Sequence, residues 1–270
     1  MSKNLNLIRP ENSDIKYKII KFPDGEPHLV FEEELDRKDS INITCRICNS
    51  TDLFILMQIG DILQRHEIII RTLDIKYLMS SRIDRVISFN ESYSLKIVSN
   101  TINSLKAKHV FLTEAHSDKT ELLINNCINH TQSFDRYLPK EYTPVAPDKG
   151  AAKRRHFKTL CLFCTKERDL NTGKLSNFKI QNPEILKIEK SDRFVVIDDL
   201  CDGGGTFVGI AKELRKLDSK RKLSIYVTHM VNPKGIQTLS ENYDEVYFTN
   251  SYKDWQKLSL PTNVTVIEVV

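Results

Sequence analysis

The chain has 270 residues, 40% hydrophobic and 28% charged. That excludes a disordered chain and, at about 150 residues per domain, points to two domains. Forty Lys and Arg against 36 Asp and Glu leave a net charge of +4, short of the concentrated basic footprint of a nucleic-acid binder. The basic clusters Lys153–Arg155 and Lys220–Lys222 are short and far apart, so no nucleic acid is expected as a partner. No apolar run reaches the roughly 18 residues of a membrane span. The polar start, Met1–Asp14, lacks the apolar core of a signal peptide. A cytoplasmic protein without membrane association is the expectation.

Short β-rich runs alternate with helical stretches along the chain. Ile41–Cys48 reads as a strand. Asp52–Ile55 and Glu67–Thr72 read as strand pieces, with a helix over Leu56–Arg65 between them. Ser92–Leu105 carries Leu95, Ile97, Val98, Ile102 and Leu105 at helical spacing. A strand is predicted at His109–Leu112 and a helix at Lys119–Cys127. The proline-bracketed stretch Leu138–Pro144 predicts a linker, which divides the chain into domains 1–140 and 141–270. Strands are predicted again at Leu160–Cys164, Phe194–Ile197, Ser224–Thr228, Glu245–Phe248 and Val264–Val269, and a helix at Thr206–Leu217. This alternation predicts an α/β protein with parallel sheets flanked by helices. Two Cys-x-x-Cys pairs, Cys45/Cys48 and Cys161/Cys164, lie in strand-like contexts. Residues three apart on a strand face opposite ways, so the pairs read as buried structural thiols rather than zinc ligands.

Chemistry concentrates in Phe194-Val-Val-Ile-Asp198-Asp199-Leu-Cys-Asp202-Gly203-Gly204-Gly205-Thr206. A buried strand ends in two acids, and a glycine turn leads into an amphipathic helix. Open α/β sheets bind ligands outside the carboxyl ends of their strands. Glycines let backbone approach a phosphate, and the helix start offers unpaired N–H groups and a positive dipole end. The acids suit sugar hydroxyls or a metal. Neither a Walker loop nor G-x-G-x-x-G is present.

This segment resembles the phosphoribosyl-diphosphate motif of the phosphoribosyltransferase fold. Further stretches, in the same order, resemble the ribose-phosphate diphosphokinases. Phe22-Pro-Asp24-Gly-Glu26 is similar to that family's F-x-[DN]-x-E element, and Tyr77-Leu-Met-Ser-Ser-Arg82-Ile-Asp84-Arg85 to its Y-x4-R-Q-D-R. Glu114-Ala-His116 resembles its D-L-H, and Pro147-Asp148-Lys-Gly-Ala-Ala-Lys153-Arg154 its P-D-x-G-G-x-K-R. Lys166-Glu-Arg168 resembles the K-x-R of its mobile catalytic loop. Thr228-His229 and Thr249-Asn250 fall where the family has T-H and T-N.

The resemblance implies two phosphoribosyltransferase-like domains and transfer of the β,γ-diphosphate of ATP to the C1 hydroxyl of a ribose phosphate, with Mg²⁺. It implies ATP contacts at Phe22, Asp24, Glu26, Arg82 and Asp84, and metal contacts at His116 and Asp148. It makes Lys166 and Arg168 catalytic, and it places the ribose phosphate on Asp198, Asp199, Asp202, Gly203, Gly204, Gly205 and Thr206. It also implies a homo-oligomer, dimer or hexamer, in which some of these residues act in trans.

Two departures stand out. Ile83 replaces a glutamine. Gly203 replaces the threonine of the family's Asp-Thr-x-Gly-Thr, which removes a hydroxyl donor and opens space. An acceptor with a larger 5′ substituent, such as ADP-ribose in NAD salvage, is therefore an alternative to ribose 5-phosphate. A phosphoribosyltransferase would not need the Phe22–Glu26, Arg82–Arg85 or Lys166/Arg168 elements. A non-catalytic regulatory relative would be expected to have lost the acids, His116 and Lys166.

Overall fold

The computed structural model describes residues 2–131, 136–155, 161–168, 175–188 and 191–270. The chain divides into two compact units, Met1–His130 with Val270, and Thr131–Val269. In the first, β1 (Ser2–Asn6), β4 (Ser40–Ile47), β5 (Ile69–Leu78), β6 (His109–Thr113) and β7 (Cys127–His130) form a sheet in that order. All its pairings are parallel. Alternation on β4 buries Ile41, Ile43, Cys45 and Ile47 while the residues between them stay half-buried. Helix α1 (Ser50–Arg65) covers the sheet with Leu56, Ile59 and Leu63, and α2 (Ser94–Ser104) with Leu95, Val98 and Ile102.

The second unit carries a seven-stranded sheet, ordered β10 (Leu175–Gln181), β9 (Leu162–Arg168), β8 (Thr143–Ala146), β11 (Arg193–Cys201), β12 (Lys222–Met230), β13 (Glu245–Thr249) and β14 (Val264–Ile267). Only β9 and β10 pair antiparallel. Central β11 buries Phe194, Val195, Val196 and Ile197 on both faces, the pattern of a strand covered on two sides. Helix α5 (Gly205–Leu217) buries Phe207, Ile210 and Leu214 in the same core as β11, with Gly209 close against Phe178 of β10, and α6 (Pro233–Asn242) adds Ile236 and Leu239.

The predicted α/β class with parallel, helix-flanked sheets is what the chain adopts. Several boundaries differ. Residues 52–55 are helical, not strand, because the Asn49 side chain accepts a hydrogen bond from Asp52 N and starts α1 at Ser50. The helix predicted over 119–127 stops after one turn, as α3 (Lys119–Leu123). Asn126, at φ 53°, then turns the chain into β7. The predicted linker 138–144 ends inside the sheet, since Thr143 and Pro144 begin buried β8 and pair with β11. A separate two-stranded hairpin, β2 (Tyr17–Lys21) with β3 (Pro27–Phe31), and helix α6 go beyond the predicted elements. Among the described residues, no helix is long and apolar enough to cross a membrane.

Candidate active site

In the first unit, Phe22–Glu26 form the tip of the β2–β3 hairpin. Phe22 N donates to Glu26 O, Gly25 N to Phe22 O, and Glu26 N to the Asp24 carboxylate at 3.0 Å. Gly25 takes φ +95°, a conformation that side chains resist. All five tip residues are exposed. A lone hairpin is marginal in water. This one is tied to α1 by the buried Leu29 and by the Gln58 amide, which accepts from Leu29 N (2.7 Å) and donates to Pro27 O (2.7 Å).

Arg82 and Asp84 follow β5 on an irregular segment, which the structure joins to the His116 loop. Ser117 Oγ donates to Asp84 Oδ2 at 2.8 Å, and Lys119 Nζ to the Asp84 carbonyl at 2.9 Å. Asp84 thus anchors the loop, while Arg82 is exposed. The His116 loop is also clamped from β7. The Asn129 amide accepts from Ala115 N (2.9 Å) and donates to Ala115 O (3.2 Å). Glu114, before it, is buried at φ 43°. Strained, over-determined backbone of this kind gathers at functional loops. His116 itself is half-buried. Gln58 and Asn129 were not singled out in the sequence, where nothing marks an isolated amide as a clamp.

In the second unit, Asp148 precedes α4 (Lys149–Arg155) and accepts from Ala151 N at 2.9 Å. Its other oxygen lies 3.6 Å from Lys166 Nζ. The predicted loop position of Lys166 and Arg168 needs correcting: both belong to β9, held by antiparallel pairing with β10. The side chains of Lys153, Arg154 and Arg168 lie outside the described residues. Among the described residues, no three His, Cys, Asp or Glu converge as a metal cage. Mg²⁺ needs none, since it takes one or two carboxylates together with substrate phosphates and water. The partly exposed Asp148 carboxylate is a hard oxygen donor of that kind.

Asp198 and Asp199 are also further inside the strand than expected, because β11 runs on to Cys201. Strand alternation points their side chains to opposite faces. Asp198 is half-buried and accepts from Asp199 N at 2.9 Å, whereas Asp199 is only 6% exposed. Beyond them comes the turn. Gly204, at φ +83°, is the N-cap of α5, and no side chain caps that helix. A Cβ on Gly204 would meet Thr238 of α6 at 2.9 Å, and one on Gly235 would meet Asp202 O at 2.1 Å. The first turn of α6 is therefore pressed against the turn before α5. Asn232 Nδ2 donates to Asp202 Oδ1 at 3.0 Å. Beneath, Tyr243 Oη donates to Phe207 O at 2.8 Å, and burial raises its phenol well above the ordinary range. Burial likewise pushes the Cys201 thiol up, which keeps it a packing group rather than a nucleophile.

Thr228-His229 and Thr249-Asn250 close the carboxyl ends of β12 and β13. His229 Nδ1 lies 2.8 Å from Ser251 Oγ, and Thr249 Oγ1 donates to Thr228 O at 2.6 Å, all buried. The second unit thus gathers at one sheet end an acid pair, a glycine turn and two helix N-termini. That combination can hold a phosphorylated sugar by its hydroxyls and its phosphate.

No model of a known protein family matches the chain. It is 26% identical over 238 residues to the ribose-phosphate pyrophosphokinase of Mycoplasma genitalium, covering 83% of this chain and 70% of that protein. It is 27% identical over 262 residues to the ribose-phosphate pyrophosphokinase of Pyrococcus furiosus, covering 93% and 88%. The crystal structure of the phosphoribosylpyrophosphate synthetase from Mycobacterium smegmatis has the same fold, with a TM-score of 0.81 at 17% identity over 99% of this chain and 94% of that one.

Proposed function

We propose that this chain, a member of the ribose-phosphate pyrophosphokinase family, transfers the β,γ-diphosphate of ATP to the C1 hydroxyl of a ribose 5-phosphate moiety and releases AMP. The observation that carries the reading is the Asp198–Thr206 strand, turn and helix start, in a chain whose relatives of that name match most of its length.

The barrier is electrostatic, since a hydroxyl oxygen must reach the β-phosphorus of a polyanion. The bond from the C1 oxygen to the β-phosphorus forms, the bond from the β-phosphorus to the oxygen shared with the α-phosphate breaks, AMP leaves with that oxygen, and the hydroxyl proton passes to solvent. Asp198 and Asp199 hold ribose hydroxyls, and the amides of Gly203–Thr206 receive the 5′-phosphate with the help of the α5 dipole. Lys166, waiting on Asp148 at 3.6 Å, and Arg168 neutralise charge that grows on the transferring phosphates. Phe22, Asp24 and Glu26 on the hairpin tip, with Arg82, contact ATP. Asp84 and Asn129 position the loop bearing His116. Mg²⁺ would supply positive charge at the phosphates and so lower their repulsion of the incoming hydroxyl. His116 and Asp148 would hold it, directly or through water. The domain of residues 1–140 carries the ATP elements and that of 141–270 the acceptor. As in the resemblance, the working form is a homo-oligomer in the cytoplasm.

The test is ³¹P NMR of the protein with ATP, Mg²⁺ and ribose 5-phosphate or a 5′-substituted ribose phosphate. AMP and a new sugar-linked diphosphate are expected. ATP that stays intact, or is merely hydrolysed, in every tube overturns the reading.

A further inference from the structure

We infer that the acceptor is a ribose 5-phosphate whose phosphate is itself esterified, a nucleoside-diphosphate ribose such as ADP-ribose, and that Gly203 sets this preference. The inference rests on the reaction proposed above and concerns which substrate enters the same site.

Glycine has two structural uses, a positive φ and close packing. Gly204 has both, at φ +83° and against Thr238. Gly203 has neither. Its φ lies outside the left-handed region, and a Cβ built on it meets nothing within 4 Å. A Cβ would fit there, and alanine would stabilise the fold by restricting the unfolded chain. The fold therefore gives no reason for glycine at 203. Space over the acceptor turn does, because bulk on a ligand needs it.

Charge leads to the same class of substrate. A terminal phosphate is a dianion with three oxygens to satisfy. An esterified phosphate carries one charge less and two free oxygens, so it needs fewer donors. With no side chain at 203 or 204, the turn supplies mainly backbone N–H groups. The continuation of a diphosphate also has a place to go. The first turn of α6, with Lys234 exposed on it, lies against Asp202, so a second positive helix end borders the first. An unesterified ribose 5-phosphate would leave that end and the space over Gly203 unused.

The experiment measures kcat/KM for ribose 5-phosphate and for ADP-ribose, by AMP release with ATP and Mg²⁺, in the natural protein and in Gly203→Thr. At least a tenfold preference for ADP-ribose is expected, with Gly203→Thr lowering that ratio by a further tenfold or more. AMP release with neither acceptor sinks the transfer reaction itself. Release that is faster with ribose 5-phosphate leaves the reaction standing and overturns this inference. A preference for ADP-ribose that Gly203→Thr leaves unchanged overturns the role of Gly203. If the variant does not fold, the natural protein's own ratio still decides the acceptor, and Gly203→Ala, which adds only the Cβ into open space, decides the residue.

Discussion

The two units present their functional groups in opposite ways. The second builds its turn from the central strand of its sheet and presses α6 against it, so that Gly204 and Gly235 have almost no freedom. The first hangs its Phe22–Glu26 tip on a two-stranded hairpin, held by buried Leu29, by half-buried Tyr17 and Phe31 against the core, and by the hydrogen bonds of Gln58 and of Tyr17 Oη to Asn6 O. The proposed acceptor end is thus fixed by close backbone packing, while the proposed nucleotide end rests on three apolar side chains and a few replaceable hydrogen bonds. Mutations should separate the two.

The largest expected effect is chemical. Lys166→Ala should lower kcat by on the order of 10²–10³, as loss of a charge-stabilising group does elsewhere, with the melting temperature little changed. A loss under fivefold in steady-state assays would remove Lys166 from the reaction.

Next is Gly235→Ala, whose Cβ would lie 2.1 Å from Asp202 O. Overpacking of this kind costs about 1–3 kcal/mol, and it should appear both in urea unfolding and in a raised KM for the acceptor. An unchanged unfolding midpoint would show that α6 is not pressed on the turn.

Gln58→Ala leaves Leu29 N and Pro27 O without their partner. About 1–3 kcal/mol is lost locally, and the expected readout is a raised KM for ATP with the acceptor KM unaltered. If both rise together, the hairpin and the acceptor turn are not independent.

The smallest effect lies at the far end of the second sheet, where Arg193, Lys222, Ser224 and Tyr247 surround Glu245. Burial alone would raise the Glu245 carboxyl, but the hydrogen bonds from Lys222 and Ser224 and the Arg193 charge hold it below the ordinary 4.5. A depressed folded-state value means that its stabilisation is present above pH 4.5 and is lost as pH falls through that lower value. The stability gap between the natural protein and Glu245→Gln should therefore be largest near neutrality and close on acidification below pH 4.5. Neither KM should move. A gap that is constant with pH would make the contribution steric.

Much of this was legible in the sequence, for identifiable reasons. Strand β11 and helix α5 show as an apolar run, a glycine turn and a 3.6-residue period, and the acids are adjacent in sequence. What escaped was tertiary. Asp52–Ile55 look β-rich until Asn49 caps them into a helix. Lys166 and Arg168 look like loop charges until β10 pairs with them. The hairpin did leave a signal, since two β-rich runs flank Pro23-Asp24-Gly25. The amides of Gln58 and Asn129 left none, because their role depends on carbonyls and N–H groups that folding brings to them from 29 and 14 residues away.

The hairpin has one more consequence, for warming. With few buried groups it opens at a lower free energy than the sheets, so heat reaches it first. ATP saturation should weaken over a temperature range in which both sheets are intact and acceptor affinity is unaltered. The enzyme then slows by losing its donor well before it melts, and it recovers at once on cooling, because nothing but a hairpin has to refold.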